Sequence, residues 1–423
     1  MKITSQLSPR RLASALRRSA TNYRSVAPIH GHFGVRSLAL KATGIMHSDI
    51  APWTTTNAMV LMKPGQPMKS KMLKIRNLAP DQVLVELKAT GICHTDLTVA
   101  SGNFPLSTPA ILGHEGAGVV KAVGGKLINR YQPGDTVILS FNSCGQCHSC
   151  DNGSSAYCRD MAEVNLPHTP STGERNFELD GIPVCNGFFG QSSFSRMAIV
   201  DERSIVKIPG LTSEELVTLA PLGCGIQTGA GAVINNLSVT PESSFAVIGA
   251  GAVGLSGLMA AKSRGAGTII AIDLLESKLE LAKELGATHV FNGKDPELVE
   301  KIVDLTPKTG GIQFVLDTTG VPRVLEQAVT FAGIRGRICT VGLTVPGTTM
   351  KLDFMDMMHR GKVFTGSIEG DSDPQKFIPF LVDEFRAGRL PLEKIVRLYR
   401  FEEFQDAWED LANGRVIKPI IRW

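Results

Sequence analysis

The chain has 423 residues, 43% of them hydrophobic and 20% charged, with 43 glycines and a formal net charge of +4. That length exceeds one core and suits two or three domains, and the composition is ordinary for a soluble globular protein. No uninterrupted apolar run of about 18 residues occurs, so no transmembrane helix or membrane partner is expected, and beyond a basic leader nothing points to nucleic acid.

Residues 1–48 carry eight Lys/Arg and no Asp or Glu, which leaves 36 basic and 40 acidic residues for the rest of the chain. In "SPRRLASALRRSA", Leu12, Ala15 and Leu16 share one side of a helix, opposite Arg10, Arg11, Arg17 and Arg18. An amphipathic, acid-free start rich in Arg and Ser has the pattern of a mitochondrial transit peptide, and "VRSLAL" (35–40) suits a processing neighbourhood. The expected address is the mitochondrial matrix or the cytoplasm. A disordered basic tail or a misassigned start codon would have the same composition. The apolar core of a secretory signal is missing.

The stretch "GICHTDLTVASGNFPLSTPAILGHEGAG" (91–118) holds Cys93, His94, Thr95 and Asp96, then His114 and Glu115. The two soft ligands could meet at a metal. An ordinary buried cysteine and an ordinary surface histidine fit the same letters. Next, Cys144, Cys147, Cys150 and Cys158 form a Cys-x2-Cys-x2-Cys-x7-Cys cluster. Neighbours this close could hardly all pair as disulfides without strain. Four thiolates fit a closed, tetrahedral, structural zinc site, with an iron–sulfur cluster as the rival. Reduced thiols suit cytosol or matrix.

In "SSFAVIGAGAVGLSGLMAAKSRGAGTIIAID" (243–273) a short apolar strand runs into Gly249-x-Gly251-x-x-Gly254, an Ala/Leu-rich helix and a second strand ending at Asp273. Gly249 permits a tight turn, Gly251 admits a pyrophosphate, and Gly254 lets helix and strand pack closely. The helix N-terminus offers N–H donors to phosphate. Asp273 would accept from a ribose and repel a 2′-phosphate, so NAD is expected over NADP. Further on, Leu279, Leu281, Ala282 and Leu285 mark a helix that stops at Gly286, and apolar strands are expected at 314–317, 338–341 and 363–368. Alternating strands and helices predict an α/β fold with a doubly wound parallel sheet.

With these pieces in one chain, residues 56–423 resemble the zinc-containing medium-chain alcohol dehydrogenases. "GHEGAGVVKAVGGKL" (113–127) is similar to their zinc signature, with Leu127 where a smaller or β-branched residue is usual. "FFGQSSFSRMAIVDE", "APLGCGIQTGAGAV" and "IEGDSDPQKFIP" are most similar to the aryl- and benzyl-alcohol branch.

The resemblance implies a basic leader at 1–54 and a GroES-like, mostly-β catalytic domain at 55–224 and 369–423, with the structural-zinc lobe at 142–160. It implies an NAD-binding Rossmann domain at 225–368. Cys93, His114 and Cys224 would hold a catalytic zinc with a fourth position open, and Cys144, Cys147, Cys150 and Cys158 a structural one, two zinc ions per chain. Asp96 would orient His114 and Glu115 would tune the metal from behind. The zinc would lower the pKa of a primary alcohol, aryl or allylic, Thr95 would take its proton, and hydride would pass to the nicotinamide to give the aldehyde. Many relatives continue the proton path to a histidine where Thr98 stands here. His94 and Lys418 would contact the pyrophosphate and Lys278 a ribose; each is equally readable as a solvated surface charge. Phe141 and Phe188 are candidate pocket residues, and a long 160–184 loop resembles that of the homodimeric forms. A glutathione-dependent formaldehyde dehydrogenase or a zinc enzyme for aliphatic alcohols is the alternative function.

Overall fold

The structure is a computed structural model that describes residues 54–76, 78–104, 106–166 and 176–423. The basic leader lies outside the described residues. Three sheets organise the rest. A five-stranded sheet runs in the order Ala110–Ile111, Thr54–Leu61, Lys69–Ile75, Phe177–Leu179, Ile182–Val184. A seven-stranded sheet runs Ile205–Lys207, Thr136–Leu139, Gly116–Val123, Gln82–Gly91, Lys418–Arg422, Val396–Arg400, with Met197–Asp201 also paired to Gln82–Gly91. The C-terminal strand pairs antiparallel with the end of Gln82–Gly91, Ile420 opposite Gly91. The last residues of the chain therefore lie beside Cys93.

The third sheet is wholly parallel and runs His289–Asn292, Thr268–Asp273, Ser244–Ile248, Ile312–Asp317, Ala332–Thr340, Val363–Gly366. Numbered in chain order this is 3-2-1-4-5-6, the doubly wound order whose carboxyl edge receives ligands at the reversal. Ser244–Ile248 sits at that reversal and is buried at every position, because helices cover both faces.

Some expected elements shift. The strand expected at 338–341 runs Ala332–Thr340, because Gly333, Gly336 and the two arginines Arg335 and Arg337 mask the apolar pattern of its first half. The strand expected to reach 368 ends at Gly366, ahead of a left-handed turn. His289–Asn292 went unread because its only apolar pair, Val290 and Phe291, is half-buried. The 160–184 segment is not simply a loop. It carries a short helix, Met161–Asn165, and a hairpin, Phe177–Leu179 with Ile182–Val184, that extends the first sheet; residues 167–175 lie outside the described residues.

The helices Gly225–Gly231 and Ala252–Ser263 pack closely against each other. Glycine makes this approach possible: a Cβ on Gly229 would lie 1.9 Å from the Val253 carbonyl oxygen and 2.2 Å from Ser256 Oγ. Gly229→Ala is expected to force the helices apart and cost about 1–3 kcal/mol. Urea unfolding midpoints of the variant and the wild type check this.

Candidate metal centre and coenzyme site

Cys93 follows the strand Gln82–Gly91 and caps the helix His94–Ala100; its N–H donates to Asp96 Oδ2 at 2.9 Å. The other Asp96 oxygen, Oδ1, accepts from the Gly113 N–H at 3.0 Å and lies 3.1 Å from His114 Nδ1. One fully buried carboxylate thus fixes both segments. With Nδ1 committed, His114 presents Nε2 to the interior, and that buried atom has no hydrogen-bond partner. Phe189 stacks on the imidazole at 4.6 Å and Phe188 meets it edge-on at 5.4 Å.

Cys224 sits between the turn Ala220–Gly223 and the helix Gly225–Gly231. Donor atoms of Cys93, His114, Glu115 and Cys224 all lie within 4.8 Å of one another. The hydrogen bond from Cys224 holds the Cys93 thiol well below its ordinary range, helped by the Lys418 and His114 charges, although burial opposes it. Cys224 moves upward in turn, through that shared hydrogen bond and its own burial. An orphaned imidazole nitrogen within 4.8 Å of two thiol sulfurs is a donor set that fits zinc.

Behind it, Glu115 receives the Lys418 ammonium at 2.8 and 2.9 Å and the Gly225 N–H at 3.3 Å. The third Lys418 donor goes to the Ile92 carbonyl at 3.2 Å. Burial lowers the lysine pKa, but Glu115 outweighs it and the ammonium persists. The structure thus commits all three N–H groups of Lys418 internally, in place of the phosphate contact expected from the sequence. Gly91 makes room for the pair: a Cβ there would fall 2.0 Å from Glu115 Oε2.

Cys144, Cys147, Cys150 and Cys158 form the second group, again with donor atoms within 4.8 Å, and all eight cysteines are free. Backbone N–H groups of Arg159 and Cys144 point at Cys147 Sγ (3.4 Å) and Cys158 Sγ (3.2 Å). The Arg159 contact leads the causes that bring Cys147 down to about 6, whereas burial pushes Cys158 up to about 12. Four sulfurs converging without a disulfide fit a closed zinc site.

At the parallel sheet, Gly249 turns with φ 92°, and a Cβ on Gly254 would meet the Gly249 carbonyl oxygen at 1.8 Å. A Cβ on Gly251 would meet nothing within 4 Å, which leaves open space at the start of the helix Ala252–Ser263. Asp273 ends its strand and accepts from the Ala250, Leu274 and Leu275 N–H groups at 2.7, 2.7 and 3.0 Å. A carboxylate has about four acceptor sites, so one remains for a ribose. Lys278 lies on the following helix; His94 is solvent-exposed, and partial desolvation by its neighbours, with the Lys418 and Lys278 charges, shifts its pKa downward.

Family models for "Alcohol dehydrogenase GroES-like domain" and "Zinc-binding dehydrogenase" match residues 79–210 and 252–383. A geraniol dehydrogenase of Castellaniella defragrans is 38% identical over 88% of this chain and 99% of its own length. The chain belongs to the zinc-containing alcohol dehydrogenases. A benzyl alcohol dehydrogenase structure from Acinetobacter calcoaceticus superimposes with TM-score 0.83 at 44% identity, covering 87% of this chain and 99% of that one. An S-(hydroxymethyl)glutathione dehydrogenase of Escherichia coli is 33% identical over 87% of this chain and all of its own length. The protein is accordingly a zinc-dependent alcohol dehydrogenase with a GroES-like catalytic domain and a Rossmann coenzyme domain. Among the described residues no helix is long and apolar enough to cross a membrane.

In this dehydrogenase Thr95 Oγ1 lies 3.8 Å from Cys93 Sγ, while the Thr98 hydroxyl donates to the His94 carbonyl at 2.9 Å. Phe188 is at the metal centre. Phe141 instead lines a separate cavity of about 130 Å³ with Arg130, Arg203 and Gln375. Sequence reasoning missed Gln191, which donates to the His114 carbonyl at 2.9 Å and accepts from the Gly116 N–H at 3.0 Å. It also missed Phe189 and the buried Glu369, whose carboxyl burial raises to about 7. All three fall in stretches read only for resemblance. Periodicity could not have marked them, because they lie in turns outside regular elements.

Elemental analysis is expected to find two zinc ions per chain, one readily removed by chelators. Asp96→Ala, which leaves His114 Nδ1 unheld, should weaken the labile zinc about 10- to 100-fold. Chelator competition on the folded variant measures this.

Proposed function

We propose that this dehydrogenase interconverts aryl or allylic primary alcohols and their aldehydes with NAD. The observation that carries the reading is the orphaned Nε2 of His114 among Cys93 and Cys224, beside an aromatic wall of Phe188 and Phe189. Its similarity to a benzyl alcohol and a geraniol dehydrogenase supports the substrate class.

In this reading residues 55–224 and 369–423 form the catalytic domain, with its cysteine lobe at 142–160, and 225–368 the coenzyme domain. Cys93, His114 and Cys224 hold one zinc, and Cys144, Cys147, Cys150 and Cys158 the other. When bound, zinc supplies a Lewis acid that lowers the pKa of the alcohol, and NAD supplies the hydride acceptor. Thr95 takes the alcohol proton. Asp96 keeps the His114 tautomer that leaves Nε2 unprotonated, and Lys418 steadies Glu115. Gly249, Gly251 and Gly254 shape the pyrophosphate turn, Asp273 selects against a 2′-phosphate, Lys278 adds positive character along the coenzyme path, and His94 offers it an imidazole N–H.

The open edge strand Val363–Gly366 and the exposed Leu343, Val345 and Phe354 (55, 65 and 81% accessible) support a homodimer, which sedimentation would test. The leader is taken as a mitochondrial import segment; a fluorescent reporter fused to residues 1–48 that stays in the cytosol refutes this.

An NADH-absorbance screen of benzyl, cinnamyl, allylic and short aliphatic alcohols, run with NAD and with NADP, tests the whole reading. Turnover confined to the glutathione adduct of formaldehyde, or a preference for NADP, overturns it.

The position of Thr98 generates a pH prediction. Residue 98 is a threonine whose hydroxyl bonds the His94 carbonyl, where many relatives carry a titratable imidazole. Thr98→His is expected to raise activity near neutrality and to add an ionisation near the ordinary histidine value of about 6.5. Activity should rise with pH through that value, since only the neutral imidazole accepts a proton. Thr95→Ala should be much more damaging, about 100-fold or more. Steady-state rates from acid to alkaline pH on both variants decide the matter.

A further inference from the structure

Between the two cysteine groups lies a turn that neither uses. Glu369, Gly370 and Asp371 all adopt left-handed backbone, with φ of 50°, 68° and 51°. Two of the three are not glycine, and such a conformation persists only where the surroundings over-determine it.

The inner side of the turn reaches the helix that begins after Cys224. Glu369 is 7% exposed, and its Oε2 accepts from Gln227 Nε2 at 3.2 Å and Thr228 Oγ1 at 3.3 Å. Gln227 also donates to Ser140 Oγ at 2.7 Å and the Gly223 carbonyl at 2.6 Å, and accepts from Ser372 Oγ at 3.1 Å. Gly370 lies flat against the same helix: a Cβ on it would meet the Gln227 carbonyl oxygen at 2.4 Å, and one on Gly231 would meet the Gly370 carbonyl oxygen at 2.4 Å.

The outer side of the turn reaches the four-cysteine lobe. Asp371 Oδ1 accepts from the Tyr157 hydroxyl at 2.6 Å, and its Oδ2 accepts from Asn236 Nδ2 at 2.8 Å. Tyr157 immediately precedes Cys158.

We propose that the 369–371 turn is a brace through which the four-cysteine lobe sets the position of Cys224, with Glu369 and Tyr157 as positioning residues. The inference rests on the reading of Cys224 as a ligand of the labile zinc. A ligand is held well only when its supporting groups are themselves locked. Cys224 belongs to a short turn and a short helix, so its position depends on what grips the first residues of that helix. Glu115 holds the first of them, Gly225, and Glu369 grips Gln227 and Thr228 in the same turn. The lobe then has a task beyond its own stability.

The test uses the full chain loaded with zinc and follows release of the labile zinc to a chromogenic chelator, alongside kcat, KM and the unfolding midpoint. Tyr157→Phe keeps the ring and removes one hydrogen bond. It should speed labile-zinc release roughly two- to tenfold and lower kcat by a similar factor, with two zinc ions still bound at the start. Glu369→Ala should do the same more strongly, and Glu369→Gln, which keeps an acceptor oxygen, should restore slow release. Combining Tyr157→Phe with Glu369→Ala should add little to Glu369→Ala alone, because both cut one chain of contacts. If Glu369→Ala fails to fold, the Tyr157→Phe and Glu369→Gln measurements still decide. Unchanged release in Tyr157→Phe, with only a lower unfolding midpoint, overturns the brace. So does a Glu369→Gln variant that loses zinc much faster than wild type. A wild-type chain with no labile zinc overturns the assignment of Cys224 itself, and the brace with it.

Discussion

A lysine ammonium and a glutamate carboxylate are buried together behind the candidate catalytic centre, and the geometry of that centre depends on them. Lys418 bonds both oxygens of Glu115 and the carbonyl of Ile92, and Glu115 accepts from the N–H of Gly225. Ile92, Glu115 and Gly225 are the immediate neighbours of Cys93, His114 and Cys224. One ion pair therefore ties together three segments that approach from different parts of the chain. Burying two charges is costly, and a buried pair is weak evidence of stability. Removing one partner is another matter, because the survivor is left uncompensated, at about 3–5 kcal/mol. The pair specifies a geometry more than it adds stability.

Asp96 and Gln191, both fully buried, extend the same logic. Asp96 joins the backbone at Cys93 and Gly113 to the ring of His114, and Gln191 joins the His114 carbonyl, the Gly116 N–H and the Ser140 carbonyl. A fully satisfied buried network specifies one arrangement, and a half-satisfied one would be worse than apolar packing. At the heart of this network, the one buried side-chain atom without a partner is His114 Nε2, which is the atom a metal would take.

The two cysteine groups differ as their chemistry requires. The lobe offers four thiols, steadied by backbone N–H groups from within a short stretch of chain. All four positions around a tetrahedral ion are then filled by protein, so the site suits structure. The Cys93, His114 and Cys224 group offers three donors, with Glu115 turned toward Lys418. In the proposed function the fourth position takes the substrate oxygen, beside Thr95. The strained turn at 369–371 contacts Tyr157, beside Cys158, and Gln227 and Thr228, on the helix that follows Cys224.

The sequence by itself determined what is local. The spacing of Cys144, Cys147, Cys150 and Cys158 specifies a compact sulfur site within a few turns of chain. The run from Phe245 through Gly254 to Asp273 specifies a strand, a tight turn and a helix N-terminus, because glycine alone tolerates φ 92° at Gly249 and the close contact at Gly254. The pairing of Asp96 with His114 and the membership of Cys224 came from resemblance, since no spacing rule reaches that far. Only the tertiary structure decided the partner of Lys418, which lies 303 residues from Glu115 and which the resemblance placed at the pyrophosphate. It also decided that the Thr98 hydroxyl bonds the His94 carbonyl, that Phe141 lines a cavity whereas Phe188 packs on His114, and that Glu369 is buried. Each of these depends on which strand ends and turns the packing brings together, and hydrophobic periodicity records only which face of an element is buried, not what it is buried against.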